Sequence, residues 1–248
     1  MREKRIKRAL LAAGVLGTLV FCLAPFLLML LTGLSERPDF LGHGVPFQPT
    51  LSHLEEVLTA RSLHFPDYLR NSLIVAAVSA VLSVAIASLA AYALTRLPLP
   101  GKSALLLFVL ALSMFPPVSL LGYLFHLFAA LGWIDTYQAL IFPYVAWSLP
   151  LSLWILVSYF SQIPIDLDRA ALIDGCSRLQ VLRRIVLPVA APGVFSTTLL
   201  AFIFAFNEFL FALLLTTDHA ARTLPVGIAL FEGLHGQVPW VEIMGLSP

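Results

Sequence analysis

Residues 161–192 read SQIPIDLDRAALIDGCSRLQVLRRIVLPVAAP, a polar stretch that separates two long uncharged runs. Pro164 followed by Asp166 and Asp168 makes an acidic opening, which complements the partial positive charge of a helix N-terminus. Gly175 stands where a helix C-terminus favours a left-handed residue. The stretch therefore predicts a short helix that ends at a glycine elbow.

A second short helix is predicted directly after the elbow. Ser177 and Gln180 have the spacing of a capping box, in which each side chain bonds the other residue's backbone amide. Arginines near its end suit the helix C-terminal dipole, and the pattern predicts that the helix stops at Pro188. Its apolar residues recur on one face: Leu179, Leu182, Ile185 and Val186.

The composition of the whole chain is that of an all-α integral membrane protein. The chain has 248 residues, of which 59% are hydrophobic and 12% charged, and the mean hydropathy is +0.92. A soluble domain carries about 25% charged residues. Five apolar runs are long enough to cross about 30 Å of hydrocarbon as helices: 9–34, 71–95, 103–128, 138–160 and 193–215.

The distribution of basic residues predicts that the N-terminus is cytoplasmic. With that orientation, the cytoplasmic segments hold 11 of the 15 lysines and arginines, as the positive-inside rule requires. The predicted organisation is a basic head, a first transmembrane helix, an extracytoplasmic loop, and a permeation core that contains the 161–192 loop: residues 1–8, 9–34, 35–70 and 71–248.

Five crossings from a cytoplasmic N-terminus place residues 216–240 outside the membrane. The run that follows, residues 241–248, is too short to form another span. The pattern predicts either a sixth helix that is truncated or a chain that ends on the outside.

Two polar residues interrupt the last apolar run. Glu208 is the one formally charged residue within 193–215, and Asn207 precedes it. An ionisable group inside a membrane costs at least about 2 kcal/mol, so it usually faces a partner or a wet path. Asn207 and Glu208 are candidates for a translocation path; the alternative is that Glu208 lies near the outer interface, where this cost is small.

The 161–192 loop resembles the EAA motif of binding-protein-dependent ABC importer permeases. The resemblance rests on Arg169-Ala-Ala-Leu-Ile-Asp174-Gly175, with prolines at 188 and 192, and on its place between two late spans. Asn71-Ser72-Leu73, Phe206-Asn207-Glu208-Phe209 and Thr223-Leu224-Pro225-Val226-Gly227 extend it to the MalG-like carbohydrate branch. Arg169 stands where the motif has glutamate, and Phe206 where the branch has tryptophan.

The resemblance implies the fold of a type I ABC importer transmembrane domain, in a branch with six helices. It implies that the loop forms coupling helices that enter a cleft of a cytoplasmic ATPase. We therefore call residues 161–192 the coupling loop. The residues expected to couple are Asp168, Ala170, Ala171, Asp174, Gly175 and Leu182.

The resemblance also implies the partners and the location of the protein. The expected partners are a cytoplasmic ATPase dimer, a second MalG- or MalF-like permease subunit, an extracytoplasmic solute-binding protein and the lipids of a prokaryotic inner membrane; no nucleic acid is expected. The solute is expected to be a sugar or a related polyol. No cofactor or metal is expected in the chain itself, and ATP would be bound by the partner ATPase.

The sequence gives little support to two other classes of function, a membrane enzyme and a secondary transporter. A membrane enzyme is disfavoured, because the phosphatidyltransferase pattern around Asp174 fails and the chain lacks both a zinc-protease and a serine-hydrolase motif. The chain also lacks the G-x-x-x-x-G-K-S/T phosphate loop, so no ATPase activity is expected. An ion-gradient-driven secondary transporter remains the alternative, although one intramembrane carboxylate is few for an ion site.

Overall fold

The computed structural model describes residues 2–35, 49–59 and 64–235. Within these ranges the secondary structure is helical, apart from one isolated β-bridge between Ser35 and Pro49. The helices are α1 (Arg2–Gly33), α2 (Ser52–Thr59), α3 (Phe65–Arg96), α4 (Lys102–Ser113), α5 (Val118–Ala130), α6 (Tyr137–Ser161), α7 (Ile165–Ile173), α8 (Arg178–Val181), a π-helical turn (Leu182–Val186), α9 (Leu187–Val189), α10 (Ala191–Phe206), α11 (Leu210–Leu215) and α12 (Leu224–His235).

Three helices among the described residues are each long and apolar enough to cross a membrane: Ile6–Gly33 within α1, and the whole of α3 and α6. Two bent pairs raise the number to as many as five: α4 with α5, and Arg178–Val189 with α10. The all-helical membrane fold is confirmed, while the number of spans lies between three and five.

The predicted span 103–128 is broken. Its two parts, α4 and α5, are bent by 85° around Pro116 and Pro117. Proline has no backbone N–H and clashes with the preceding turn, so two in succession end the helix. By contrast, α6 continues through Pro143 and Pro150, both of which are buried.

The predicted span 193–215 is also broken, because α10 ends at Phe206 and α11 begins at Leu210. Residues 207–209 between them contain Glu208, whose carboxylate accepts hydrogen bonds from backbone amides of α11 instead of leaving the helix continuous. At its other end, α10 meets the preceding helical segment at an 85° bend.

Two stretches expected to be loops contain helices. In the predicted loop 35–70, α2 forms and α3 already begins at Phe65, while residues 36–48 and 60–63 lie outside the described residues. In the predicted connection 216–240, α12 begins at Leu224 and Pro225 occupies its first turn, where the missing N–H has no cost. Residues 236–248 lie outside the described residues, including the run 241–248.

Residues Pro66–Gly227 form one compact unit. The described parts of Met1–Phe65 and Ile228–Pro248 belong to another. Within the first unit, small residues every four positions on α3 are buried and let α6 approach, and the hydroxyls of Ser83 and Ser152 lie 3.3 Å apart. Such close approach is how membrane helices pack. The stripe is Ser79, Ser83, Ala87 and Ala91.

Candidate functional site

The coupling loop contains the predicted glycine elbow. Helix α7 ends at Ile173, and Gly175 follows with φ of 84°, a conformation that glycine adopts without the strain of a Cβ atom. Both halves of the capping box form: Ser177 N donates to Gln180 Oε1 at 2.7 Å, and Gln180 N donates to Ser177 Oγ at 3.4 Å. The predicted first helix and elbow are therefore confirmed.

The second helix differs from the prediction. It is α-helical over four residues and continues as a π-helical turn, Leu182–Val186, in which Leu187 N donates to Leu182 O. Pro188 does not stop it, because the helix runs on to Val189 and the bend follows at Ala190. Since Pro188 has no N–H to give to the carbonyl four residues earlier, the regular α-helical pattern is interrupted around it.

One face of the coupling loop packs on the ends of the membrane helices α3 and α6. Its buried apolar side chains join a cluster that contains Ala91 of α3 and Leu156 and Phe160 of α6. The loop residues in this cluster are Ile163, Ala171, Val181, Leu182, Val186 and Ala190. The apolar contacts fix the loop to two helices that can span the membrane.

A buried ion pair adds a polar connection between α3 and α7. Arg96 Nε lies 3.1 Å from Asp168 Oδ2, and both side chains are 5% exposed. The same guanidinium donates from Nη2 to the carbonyl of Ile163 at 3.0 Å. The contact is an ion pair and not a hydrogen bond, because Arg96 Nε and both carboxylate oxygens of Asp168 have no hydrogen-bond partner among the described residues. Burial strengthens the Coulomb attraction but also removes both charges from water, so each charge depends on the other.

The six predicted coupling residues divide into two sets. Asp168, Ala171 and Leu182 are buried against the membrane helices. Ala170, Asp174 and Gly175 are exposed. The first set therefore holds the loop in place, and the second is accessible to another protein.

Arg96 is a functional candidate that the sequence alone does not reveal. In the sequence it is one basic residue at the end of the apolar stretch of α3, and it contributes to the charge distribution that orients the chain. Its pairing with Asp168 depends on the tertiary fold. The sequence shows a single arginine directly after a span, and neither of its chain neighbours is acidic. This pattern does not indicate which residue the arginine pairs with.

The exposed surface of the elbow is unusually apolar. Ile173, the last residue of α7, is 86% exposed, and its chain neighbour Leu172 is also exposed. Adjacent exposed apolar side chains of this kind mark contact sites for proteins or membranes. Asp174 and Gly175 lie next to Ile173 in the chain, so this surface coincides with the predicted motif. Leu179 is exposed as well, but it lines a separate cavity with α3 and α10, and unlike Leu182 and Val186 on its predicted face it is not buried.

The second candidate site lies at the break between α10 and α11. Glu208 Oε2 accepts a hydrogen bond from the hydroxyl of Tyr144 at 2.7 Å and from Ala212 N at 3.2 Å. Glu208 Oε1 accepts from Phe211 N at 3.0 Å. The carboxylate thus joins the first turn of α11 to a fully buried tyrosine of α6.

Asn207 has a different environment from its neighbour Glu208. Its side chain is exposed, and its Nδ2 donates to Ile203 O within α10 at 2.8 Å. The two residues of the predicted translocation path are therefore not equivalent: Glu208 has three hydrogen-bond donors around it, whereas the Asn207 side chain remains accessible.

A third polar group lies at the other end of α6 from the coupling loop. Asn71 donates to the carbonyls of His219 and Arg222 at 3.1 and 3.0 Å and accepts from the hydroxyl of Tyr137 at 2.6 Å. Asp135 accepts from the backbone N–H of Asp218 at 2.9 Å and from Thr217. These bonds fix the connection between α11 and α12 to the starts of α3 and α6.

The hydrogen bonds to Asp135 make the stability of this connection depend on pH. Burial opposes ionisation, but the bonds from Thr217 and Asp218 outweigh it, so the pKa of Asp135 lies below its ordinary value of 3.8. A lowered folded-state pKa gives stability that is present above the ordinary value and is lost as the pH falls through the folded one.

We therefore expect acidification through this range to lower the unfolding temperature of wild type more than that of Asp135→Asn. Asn tolerates the left-handed backbone at this position, where φ is 62°, and carries no titrating group. Tryptophan fluorescence during thermal unfolding measures the difference. Identical pH profiles for the two proteins would contradict the assignment.

The comparisons with known proteins agree with these features. Residues 83–237 match the family described as binding-protein-dependent transport system inner membrane component. The trehalose/maltose transport system permease protein MalG of Thermococcus litoralis is 56% identical over all of this chain and 89% of that protein. The sulfoquinovosyl glycerol transport system permease protein SmoH of Agrobacterium fabrum is 42% identical over 94% of this chain and 81% of that protein.

A third relative is the trehalose transport system permease protein SugB of Mycobacterium tuberculosis, 38% identical over 89% of this chain and 81% of that protein. These relatives are transport permeases, and they give no support to the secondary-transporter alternative.

The fold also has a solved counterpart. The crystal structure of a bacterial ABC transporter involved in the import of the acidic polysaccharide alginate has a TM-score of 0.77 and covers 99% of this chain and 91% of that chain. At 20% sequence identity this likeness shows the fold. The family match over more than half of the chain and the 56% identical permease together show that the chain belongs to the binding-protein-dependent ABC transport permeases of the inner membrane.

Proposed function

We propose that the chain is the permease subunit of a sugar importer and that its coupling loop is the docking site for a cytoplasmic ATPase. The observation that carries the proposal is an exposed apolar elbow held by a buried ion pair. Ile173 is accessible at the surface, while Arg96 and Asp168 connect α7 to the end of α3. A force on the elbow would therefore reach a membrane helix directly.

The two halves of the loop have complementary roles in this proposal. Ala170, Ile173 and Asp174 would contact the ATPase, since exposed apolar side chains beside a charge are typical of protein contacts. Asp168, Ala171 and Leu182 would transmit the movement, since they are packed against α3 and α6. The sequence lacks a phosphate loop, so the ATPase would supply nucleotide binding and hydrolysis.

The proposed assembly contains two ATPase subunits, this chain, a second MalG- or MalF-like permease and an external solute-binding protein. The family description supports dependence on a binding protein. The basic residues at 2–8 support a cytoplasmic N-terminus, on the same side as the coupling loop. Asp135 and Asn71 would then face the outside, because α6, with 25 residues, is long enough to separate its two ends by a membrane thickness.

The proposed solute is a sugar, with trehalose and maltose as the first compounds to test. Two of the relatives are named for trehalose, and a third for a sulfoquinovosyl glycerol. Asn207 is the side chain best placed to meet a solute, because it is exposed and has amide groups that can bond hydroxyls. Glu208 would shape the path by holding the adjacent helix break.

Gly175→Val tests the coupling role. A β-branched residue at φ of 84° costs about 1–2 kcal/mol and would turn the elbow away from its docked position. No atom lies within 4 Å of a Cβ at this position, so the change acts through the backbone rather than by a clash.

We expect the purified importer with Gly175→Val to hydrolyse ATP without stimulation by the binding protein and to lose most labelled trehalose or maltose uptake. Gly122→Ala, also in open space but in α5, provides the control. Normal uptake by Gly175→Val at equal expression would reject the coupling role. Normal coupling without uptake of either sugar would reject only the proposed solutes.

A further inference from the structure

A polar cavity lies at the same ends of α3 and α6 as the coupling loop. Its volume is about 250 Å³, and it lies between these ends and the start of α4. Its polar lining consists of Thr95, Arg96, Lys102, Ser103 and Ser161. Its apolar lining consists of Leu94, Leu106 and Val157.

The cavity has a net positive charge. The guanidinium of Arg96 is balanced by Asp168 on its far side, at 3.1 Å. Lys102 is exposed and has no ion pair within the part of the chain that the structure describes. An anion in the cavity would contact the ammonium group of Lys102 and the guanidinium of Arg96, which Asp168 and the carbonyl of Ile163 already hold in place.

The local sequence at the start of α4 suits a phosphate group. Gly101 has φ of 71° and is followed by Lys102 and Ser103 in the first helical turn, where free backbone amides and a positive dipole favour anions. The first glycine of a nucleotide-binding phosphate loop would lie five positions before Gly101, where this chain has Arg96. Nucleotide recognition is therefore not expected here, and the start of α4 favours an anion only through its backbone amides and dipole.

We propose that this cavity binds the headgroup of an anionic phospholipid. Basic pockets between membrane helices on the cytoplasmic side are suited to such headgroups. The apolar side chains Leu94, Leu106 and Val157 fit the glycerol and first acyl carbons, which inorganic phosphate lacks. A bound headgroup would lie beside Arg96, the residue that holds α7 through Asp168.

Native mass spectrometry of the intact importer tests the proposal without reference to the transported solute. The complex is released from membrane discs of phosphatidylcholine alone or of equal parts phosphatidylcholine and phosphatidylglycerol. We expect preferential retention of phosphatidylglycerol. Lys102→Gln should lower the retention of phosphatidylglycerol roughly fivefold, which is the change in affinity expected for one lysine near an anionic surface.

Two further variants make the result specific. Ser103→Leu should block retention by filling the cavity. Arg70→Gln removes an exposed basic residue at the other end of α3 and should retain phosphatidylglycerol as wild type does. Added inorganic phosphate should displace no lipid. Equal retention by wild type and Lys102→Gln, equal retention of both lipids, or displacement by inorganic phosphate would each overturn the proposal.

Discussion

Replacing Arg96 with Ala should release the coupling loop from α3 and abolish sugar uptake. The change leaves the carboxylate of Asp168, which is 5% exposed, without its ion-pair partner. Removing one partner of a buried ion pair destabilises a protein by about 3–5 kcal/mol, because the remaining charge has lost both water and its counterion. We expect a lower unfolding temperature and ATP hydrolysis that no longer drives uptake.

The same loop contains a matched control for this prediction. Arg169 and Asp166 form an ion pair of similar length, 3.0 Å, but their side chains are 67% and 82% exposed. Exposed pairs contribute at most about 1 kcal/mol, so Arg169→Ala should leave the unfolding temperature nearly unchanged. The unfolding temperatures of both variants are measured in the same vesicles. An equal unfolding temperature for Arg96→Ala and Arg169→Ala would contradict the account.

A double variant separates loss of the charge pair from general damage. Arg96→Leu with Asp168→Leu removes both buried charges, and apolar replacement of a buried pair is often neutral for stability. We expect the double variant to unfold at a higher temperature than Arg96→Ala. If uptake also returns, the connection between α3 and α7 needs packing rather than charge.

Replacing Glu208 with Ala should disorder the junction between α10 and α11. The change leaves the buried hydroxyl of Tyr144 and the backbone amides of Phe211 and Ala212 without their acceptor. Each unsatisfied buried group costs about 1–3 kcal/mol. We expect a marked fall in unfolding temperature together with loss of uptake.

Asn207→Ala is the neighbouring control. The exposed amide of Asn207 donates to one carbonyl of its own helix, so its removal should change the unfolding temperature little. If Asn207 contacts the solute, this variant should raise the solute concentration needed for half-maximal uptake. Equal stability of Glu208→Ala and Asn207→Ala would show that the Glu208 hydrogen bonds do not hold the junction.

Local features of the coupling loop were predictable from the sequence because they depend on neighbouring residues. The acidic start of α7, the left-handed Gly175 and the box of Ser177 with Gln180 all involve contacts within a few positions. The apolar runs were equally visible, since a membrane-spanning helix satisfies its own backbone groups. The break at Pro116 and Pro117 had a clear signal, and its size, 85°, needed the structure.

The contacts that connect distant elements were not predictable. Arg96 and Asp168 pair between α3 and α7, and Tyr144 bonds Glu208 across 64 positions. Hydrophobic periodicity and helix-cap patterns in a single sequence do not indicate which distant residues pair. The break at 207–209 was not predictable for the same reason, because a carboxylate inside an apolar run does not show that it accepts from the first amides of a new helix.

Photocrosslinking from position 173 is the most direct test of the coupling loop as the ATPase-docking surface. Cys22 and Cys176 are replaced with Ser, Ile173→Cys is labelled with a benzophenone maleimide, and the assembled importer is illuminated. Ala220→Cys, exposed in the connection between α11 and α12, is the control. We predict a crosslink to the ATPase subunit from position 173 and none from position 220. An assembled, active importer in which position 173 gives no crosslink to the ATPase would contradict the account.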